Sequence, residues 1–160
     1  MDDDVHLNLK ALPSLFELFD NQKSLVLCRA YEDGQVNRNP QSKWFLSRTE
    51  YELRSLGTYC QGMAYAFSGD LLPKMTKNME SARFLWMDDW YVTNALLHST
   101  RATYIDMERH FVSTNDQEEL LSLIQRNSTL RYEPVFGHFR PNNGLAKDTG
   151  HWNQILQLIC

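Results

Sequence analysis

The pattern of apolar and polar positions indicates short helices and strands in the first half of the chain. Apolar side chains recur at helical spacing in residues 9–19, and Ser24–Cys28 is a short Val/Leu run typical of a buried strand. Residues 32–43 are polar and rich in turn formers, which indicates an exposed loop. Tyr59–Phe67 is the next apolar run and predicts a second strand.

The second half of the chain continues this alternation of elements. Ser68 is the predicted N-cap of the next helix, and Asp70 suits its first turn. Because strands and helices alternate, α/β is the predicted fold class. We expect one domain, residues 1–160, with no strand before its acidic start. The predicted elements after residue 68 are helices over 69–79 and 87–97, a strand over 103–107, a helix over 117–126, a strand over 131–139 and an amphipathic helix over 152–159.

Composition narrows the class of protein. Of 160 residues, 42% are hydrophobic and 22% are charged, which is typical of a globular domain. The net charge of −4 and the scattered basic residues argue against a nucleic acid partner. No apolar run approaches the roughly 20 residues that span a bilayer. The acidic residues after Met1 also lack the positive charge of a signal peptide, so composition alone predicts a soluble, cytosolic chain.

Cysteine usage leaves the redox state open. Cys28, Cys60 and Cys160 form an odd set, compatible with one disulfide and one free thiol or with three free thiols. Asn127 begins an Asn-Ser-Thr sequon, which is meaningful only if the chain enters the secretory route. Neither feature alone assigns a compartment.

An acidic triplet, Asp2-Asp3-Asp4, is the first candidate for a functional site. Two carboxylates separated by one residue can converge on a divalent cation when the backbone is extended or turning, and hard oxygen ligands select magnesium or manganese. The alternative interpretation is a solvated acidic tail. The triplet is not an EF-hand, because the required glycine and late glutamate are missing from the spacing.

The sequence after the triplet favours the metal interpretation. Residues 2–8 read Asp-Asp-Asp-Val-His-Leu-Asn and run into a Leu-rich helix. This resembles the Asp-x-Asp segment of the beta-1,3-galactosyltransferase and beta-1,3-N-acetylglucosaminyltransferase family. Residues 43–47, Lys-Trp-Phe-Leu-Ser, with Glu50 and Tyr51, resemble the family's Lys-Trp-Tyr-Val-Ser and Glu-Tyr-Pro segments.

Two further segments extend this resemblance. Residues 59–71 are similar to the family's Tyr-x-x-Gly-x-Gly-Tyr-x-x-Ser-x-Asp-Leu, and residues 86–93 resemble Glu/Asp-Asp-Val-Tyr-Val/Thr-Gly. In the latter, Trp90 replaces a small apolar residue and Thr93 replaces the glycine. Four motifs in the same order make coincidence an unsatisfactory explanation.

The resemblance implies the C-terminal part of a GT-A-type glycosyltransferase fold that is incomplete at its N-terminus. It implies an inverting hexosyltransferase that moves galactose or N-acetylglucosamine from a UDP-sugar to an acceptor glycan on protein or lipid. The family works on the lumenal side of the Golgi membrane through an anchor that this chain lacks. We therefore expect a fragment of a longer enzyme, an incomplete gene model or a truncated product that has lost catalysis. The alternatives are a non-catalytic remnant or binding module of the same family and, less favoured, a small metal-dependent hydrolase.

The resemblance also implies a metal site. Asp2 and Asp4 are expected to hold Mn²⁺ (or Mg²⁺) against the diphosphate of the donor. His138 is the expected third ligand, chosen over His151 because it lies in a predicted strand. The alternative for His138 is a purely structural role.

The acceptor side is expected to lie on the two later motifs. Asp89 is the implied catalytic base, and Asp88 is placed with the substrate-binding residues, although both acids suit a helix start on their own. Tyr59 and Tyr65 are expected to offer ring faces or hydroxyls to a sugar, with core filling as the alternative for Tyr65. Gly62 is expected to let a ligand or another backbone approach closely.

Overall fold

A computed structural model describes the protein over residues 5–9, 11–20, 22–114 and 135–139. The predicted helices over residues 117–126 and 152–159 lie outside these described residues. In chain order the described elements are β1 (Val5–Leu7), α1 (Leu12–Glu17), β2 (Leu25–Tyr31), β3 (Tyr59–Phe67), α2 (Leu71–Asn78), α3 (Asp88–Trp90), a π-helical turn (Tyr91–Ala95), β4 (Thr103–Asp106), a 3-10 turn (Glu108–His110), β5 (Phe111–Thr114) and β6 (Phe136–Phe139).

The contacts divide the chain into two compact units. One unit comprises residues 1–22 and 107–160, and the other comprises residues 23–106. Each contains a three-stranded sheet, and the mixture of strands and helices is compatible with the predicted α/β class. Within the described part of the chain, every helix is too short or too polar to cross a bilayer.

The sheet of residues 23–106 has the strand order β3-β2-β4. β2 runs antiparallel to β3 and parallel to β4, so it occupies the centre of a mixed sheet. Its residues Leu25 to Cys28 are all buried, as their uninterrupted apolar run predicts. The strand predicted at Tyr59–Phe67 is confirmed at the same bounds.

A large bulge interrupts the pairing of β2 with β3. Cys28 pairs with Tyr65 and Ala30 pairs with Cys60, so residues 61–64 of β3 lie opposite Arg29 alone. A disulfide joins Cys28 to Cys60 across the bulge, and both cysteines are buried. One disulfide is therefore present, and Cys160 lies outside the described residues. Bulges commonly re-aim side chains next to functional sites.

The start of α2 differs from its prediction in one detail. The helix begins at Leu71, and its N-cap residue is Asp70, so the prediction of Ser68 as N-cap is wrong. The Ser68 hydroxyl instead accepts a hydrogen bond from the Leu25 N–H at 2.9 Å and donates one to the Asp70 carboxylate at 2.7 Å. The serine therefore ties the start of β2 to the start of α2.

Two apolar clusters hold α3 and the following π-helical turn against β3. In the first cluster, the indole N–H of Trp90 donates to the Leu56 carbonyl at 2.8 Å. The rings of Trp90 and Tyr51 pack edge to face. The loop that carries Tyr51 is fastened by Arg38, whose guanidinium donates to the carbonyls of Leu46, Tyr51 and Leu53. The second cluster contains Cys28, Cys60, Leu71, Met75, Leu96 and Leu97.

The other unit contains the sheet β1-β6-β5. β6 is its central strand, antiparallel to β1 and parallel to β5. The Asn8 N–H donates to the Val135 carbonyl at 2.8 Å, and the Val135 N–H donates to the His110 carbonyl at 3.0 Å. Because β1 and β5 are only three and four residues long, neither contains enough positions to reveal a strand period in the sequence.

Candidate active site

The predicted site residues fall in three places. Asp88, Asp89, Tyr59, Gly62 and Tyr65 lie in the unit of residues 23–106, on β3 and at the start of α3. His138 lies on β6 of the other unit, and Asp2 and Asp4 lie outside the described residues. The structure therefore places five of the predicted site residues in one unit, where their contacts can be described.

Asp89 lies directly over Gly62 in the bulge of β3. A Cβ built on Gly62 would lie 3.5 Å from both Cβ and Oδ2 of Asp89, which is ordinary van der Waals contact. The glycine is therefore not required by a steric clash. Its effect is to leave the side of Oδ2 that faces β3 free of a methyl group, as expected for a place where a ligand approaches closely.

The two acids at the start of α3 have different surroundings. Asp88 is exposed, whereas Asp89 is half-buried and its Oδ1 accepts the Trp90 N–H at 2.8 Å. The N-cap residue of α3 is Met87, so neither acid is the N-cap itself. Both lie in the first turn, where a negative charge is favoured by the helix dipole. Both acids therefore also suit the helix start, and a catalytic role for Asp89 stays a prediction.

Tyr59 contributes a protonated hydroxyl close to this carboxylate. Burial of the phenol, followed by the negative charge of Asp89 and the neighbouring Tyr31, raises the pKa of Tyr59 to about 12. The hydroxyl therefore remains a hydrogen-bond donor at neutral pH. The rings of Tyr31 and Tyr59 lie 5.3 Å apart, and the face of Tyr59 packs against Gly34.

Tyr59 is a buried member of the first apolar cluster, whereas Tyr65 packs against the second. Tyr65 is half-buried and packs against the cluster that contains Cys28 and Leu71, with its ring 5.4 Å from that of Phe67. This packing is the core-filling alternative stated above, and a substrate role for Tyr65 stays a prediction.

Aromatic rings lie exposed on the segments that flank α3. Trp86 and Trp44 stack in parallel with their centroids 6.0 Å apart, and both side chains are more than 40% exposed. Phe84 is 74% exposed and packs edge-on against Tyr91. Flat apolar rings of this kind suit the apolar faces of sugars. Trp90, in contrast, belongs to the core.

The metal prediction rests on residues that the structure describes in part. His138 is buried, and the register of the sheet places it opposite Val5, the residue that follows Asp4. Carboxylate and imidazole groups are together a donor set that suits manganese. Among the described residues, no group of three His, Cys, Asp or Glu side chains could hold a metal ion.

Sequence reasoning missed the contribution of Thr93 to this cluster. Thr93 is fully buried in the π-helical turn, and its hydroxyl donates to the Asp89 carbonyl at 2.5 Å. The only signal in the sequence was the departure from the glycine of the family motif. A π-helical turn is itself frequent at functional sites.

Comparisons with known proteins point to the same family as the motifs. The model of one protein family, described as galactosyltransferase, matches residues 1–108. The chain is 36% identical over 55 residues to beta-1,3-galactosyltransferase 5 of Pan troglodytes, which covers 34% of this chain and 18% of that protein. It is 39% identical over 56 residues to beta-1,3-galactosyltransferase 2 of Homo sapiens, which covers 35% of this chain and 13% of that protein. The aligned stretch thus spans less than a fifth of either relative.

Proposed function

We infer the function of this chain from the family to which it belongs, the galactosyltransferase family. The chain carries the acceptor side of an inverting, beta-1,3-type hexosyltransferase site. The transferred sugar is galactose or N-acetylglucosamine, the donor is a UDP-sugar, and the acceptor is a glycan on protein or lipid. Asp89 is the general base.

The observation that carries this proposal is the position of Asp89 over Gly62. Oδ1 accepts the Trp90 N–H, and Oδ2, which lies over Gly62, is the oxygen that we propose takes the proton from a substrate. A general base must lie within hydrogen-bond reach of the proton that it accepts. The absence of a side chain at residue 62 leaves room for an acceptor hydroxyl beside this oxygen.

The proposed chemical step is a single displacement of UDP by the acceptor hydroxyl, assisted by one general base. The acceptor hydroxyl oxygen forms a bond to the anomeric carbon of the donor while the bond from that carbon to the UDP oxygen breaks, and the electron pair of that bond leaves with UDP. The hydroxyl proton passes to the Asp89 carboxylate. Because attack and departure occur on opposite faces, the anomeric configuration inverts and no covalent intermediate on the protein is needed.

The donor side is proposed to use the triplet and His138. Asp2, Asp4 and His138 would hold Mn²⁺ (or Mg²⁺), which supplies positive charge next to the diphosphate when bound. The register of β1 and β6, which places Val5 opposite His138, supports this assignment. The carboxylates and the imidazole orient the donor, whereas the proton of the acceptor is left to Asp89.

The acceptor is proposed to contact polar and aromatic groups around Asp89. The protonated Tyr59 hydroxyl donates a hydrogen bond to an acceptor oxygen, and the exposed Asp88 carboxylate accepts one from a hydroxyl. The exposed rings of Trp86 and Trp44 suit the apolar face of a further sugar of the glycan. The reacting hydroxyl itself is assigned to Asp89.

An oxidising compartment is proposed as the place of action. The buried disulfide between Cys28 and Cys60 is the observation that supports it, because such bonds persist in secretory compartments and are rare in the cytosol. The disulfide favours the proposed lumenal side of the Golgi membrane over the soluble, cytosolic location that composition alone predicts.

A transfer assay tests the proposed function. The protein is incubated with UDP-galactose or UDP-N-acetylglucosamine, Mn²⁺ and a panel of glycan acceptors, and the product is analysed by NMR. We expect a beta-1,3-linked product whose formation stops when EDTA is added. Binding of a glycan without release of UDP would instead identify a non-catalytic binding module. If the protein neither transfers a sugar nor binds a glycan, both proposed functions are contradicted.

A further inference from the structure

We propose that Thr93 is a positioning residue for the base, and that its hydroxyl holds Asp89 in place over β3. This proposal rests on the proposed function, because it assumes that Asp89 accepts the proton. It adds a residue that the family motif does not supply, since a glycine at this position has no hydroxyl.

The hydroxyl of Thr93 bridges two elements through one oxygen atom. Oγ1 donates to the Asp89 carbonyl at 2.5 Å and accepts the Cys60 N–H at 2.8 Å. The side chain is fully buried, so water does not compete for either bond. Asp89 is therefore tied to β3 at Cys60, two residues before Gly62.

This bridge fastens the backbone of Asp89 to β3. The Asp89 carbonyl is joined to β3 by way of Thr93, and its carboxylate lies beside Gly62 of the same strand. The disulfide to Cys28 fixes the β3 end of the bridge. The bridge therefore sets the position of the Asp89 backbone relative to the strand, and loss of the Thr93 hydroxyl removes this link.

Thr93 is itself held from a second side. Its carbonyl accepts the hydroxyl of Tyr104 on β4. Burial raises the pKa of Tyr104 to about 12, so this hydroxyl stays a donor at neutral pH. The backbone of the π-helical turn is thus attached to β4, and the side-chain hydroxyl is the part of Thr93 that acts on Asp89.

The expected effect of losing the hydroxyl is a loss of turnover and not of acceptor binding. A displacement of about 1 Å in a reacting group costs on the order of 100-fold in rate. In Thr93→Val, which keeps the shape of the side chain, we expect kcat to fall by about 10- to 100-fold with little change in the KM for the acceptor. Thr93→Ser keeps the hydroxyl and should retain turnover.

Thr100→Val is the matched control. Thr100 is also buried, and its hydroxyl donates to the Leu97 carbonyl at 2.7 Å. It therefore loses a comparable hydrogen bond and should lower the melting temperature without lowering kcat. If Thr93→Val does not fold, the pair Thr93→Ser and Thr93→Ala isolates the hydroxyl, because both lack the methyl group.

Hydrogen exchange at the Cys60 amide supplies a second readout that does not depend on activity. We expect this amide to exchange faster in Thr93→Val and to stay protected in Thr93→Ser and Thr100→Val. Unchanged protection in Thr93→Val would overturn the bridge. Faster exchange with kcat equal to that of Thr100→Val would overturn the positioning role alone. A wild-type protein that transfers no sugar overturns the proposed function, and with it the role of Thr93, whatever the exchange shows.

Discussion

At the scale of single residues, the environment of Asp89 depends on a glycine with no side chain and on a tyrosine that keeps its proton. Gly62 lacks a side chain beside Oδ2, and Tyr59 keeps its proton because burial and the charge of Asp89 raise its pKa to about 12. Asp88 remains exposed. Adjacent acids of identical chemistry thus have different environments, which is how a fold assigns them different roles.

Replacement of Gly62 by alanine tests the open face of Asp89. A methyl group would sit 3.5 Å from Oδ2, close enough to exclude an acceptor hydroxyl but not close enough to clash. We expect the Gly62→Ala protein to fold normally and to lose transfer activity by about tenfold or more, since substrate placement is disturbed. Steady-state kinetics and a thermal melt measure the two effects.

Gly69→Ala is the control for this substitution. A Cβ at Gly69 would meet no atom within 4 Å, so the variant should retain both stability and turnover. Full activity in Gly62→Ala would show that the acceptor does not approach Asp89 from the side of β3.

At the scale of elements, the bulge in β3 contains Gly62 of the candidate site. Residues 61–64 lie opposite Arg29 alone, and the disulfide between Cys28 and Cys60 joins the two strands at the bulge. The π-helical turn after α3 contributes Thr93 to the same strand. The bulged strand β3 and the π-helical turn after α3 therefore contact each other next to Asp89, the candidate base.

Reduction of the disulfide should destabilise the unit of residues 23–106. The two cysteines are 32 residues apart, and a loop of that length corresponds to roughly 3–4 kcal/mol in the chain-entropy model. We expect Cys28→Ala with Cys60→Ala to lower the free energy of unfolding by about that amount in urea titrations.

Dithiothreitol supplies the control for the disulfide prediction. It should destabilise the wild-type protein and leave the double alanine variant unchanged. Equal unfolding midpoints for the oxidised wild type and the double variant would contradict the stabilising role of Cys28 and Cys60.

At the scale of the whole molecule, motifs were easier to predict than the contacts between them. β3 was predicted at its observed bounds because Tyr59–Phe67 is long enough to be recognised from its apolar content. β1 was not, because three residues show no period and their pairing depends on β6, which is more than 120 residues away. Thr93 was recorded only as a departure from a glycine, since its bond to Cys60 spans 33 positions.

The stability of the whole protein should also decrease as the pH rises through the alkaline range. Tyr59 and Tyr104 have folded-state pKa values of about 12, whereas an unfolded tyrosine titrates near 10. Above pH 10 the unfolded chain loses protons that the folded chain keeps, so stability falls as pH rises from about 10 to about 12. Urea unfolding across this range should show the decline, and Tyr59→Phe with Tyr104→Phe should reduce it. A decline of equal size in that double variant would contradict the assignment.

The identity of the base is tested most directly by Asp89→Asn, with Asp88→Asn as its control. Asparagine keeps the shape of the side chain but does not accept the proton, so transfer should fall by roughly two to four orders of magnitude. The melting temperature and the affinity for UDP-sugar and Mn²⁺ should be retained, because Asp89 is assigned to the acceptor side. Asp88→Asn should lose much less activity. Near-normal turnover in Asp89→Asn, a larger loss in Asp88→Asn, or loss of UDP-sugar binding in Asp89→Asn would contradict the assignment of the base.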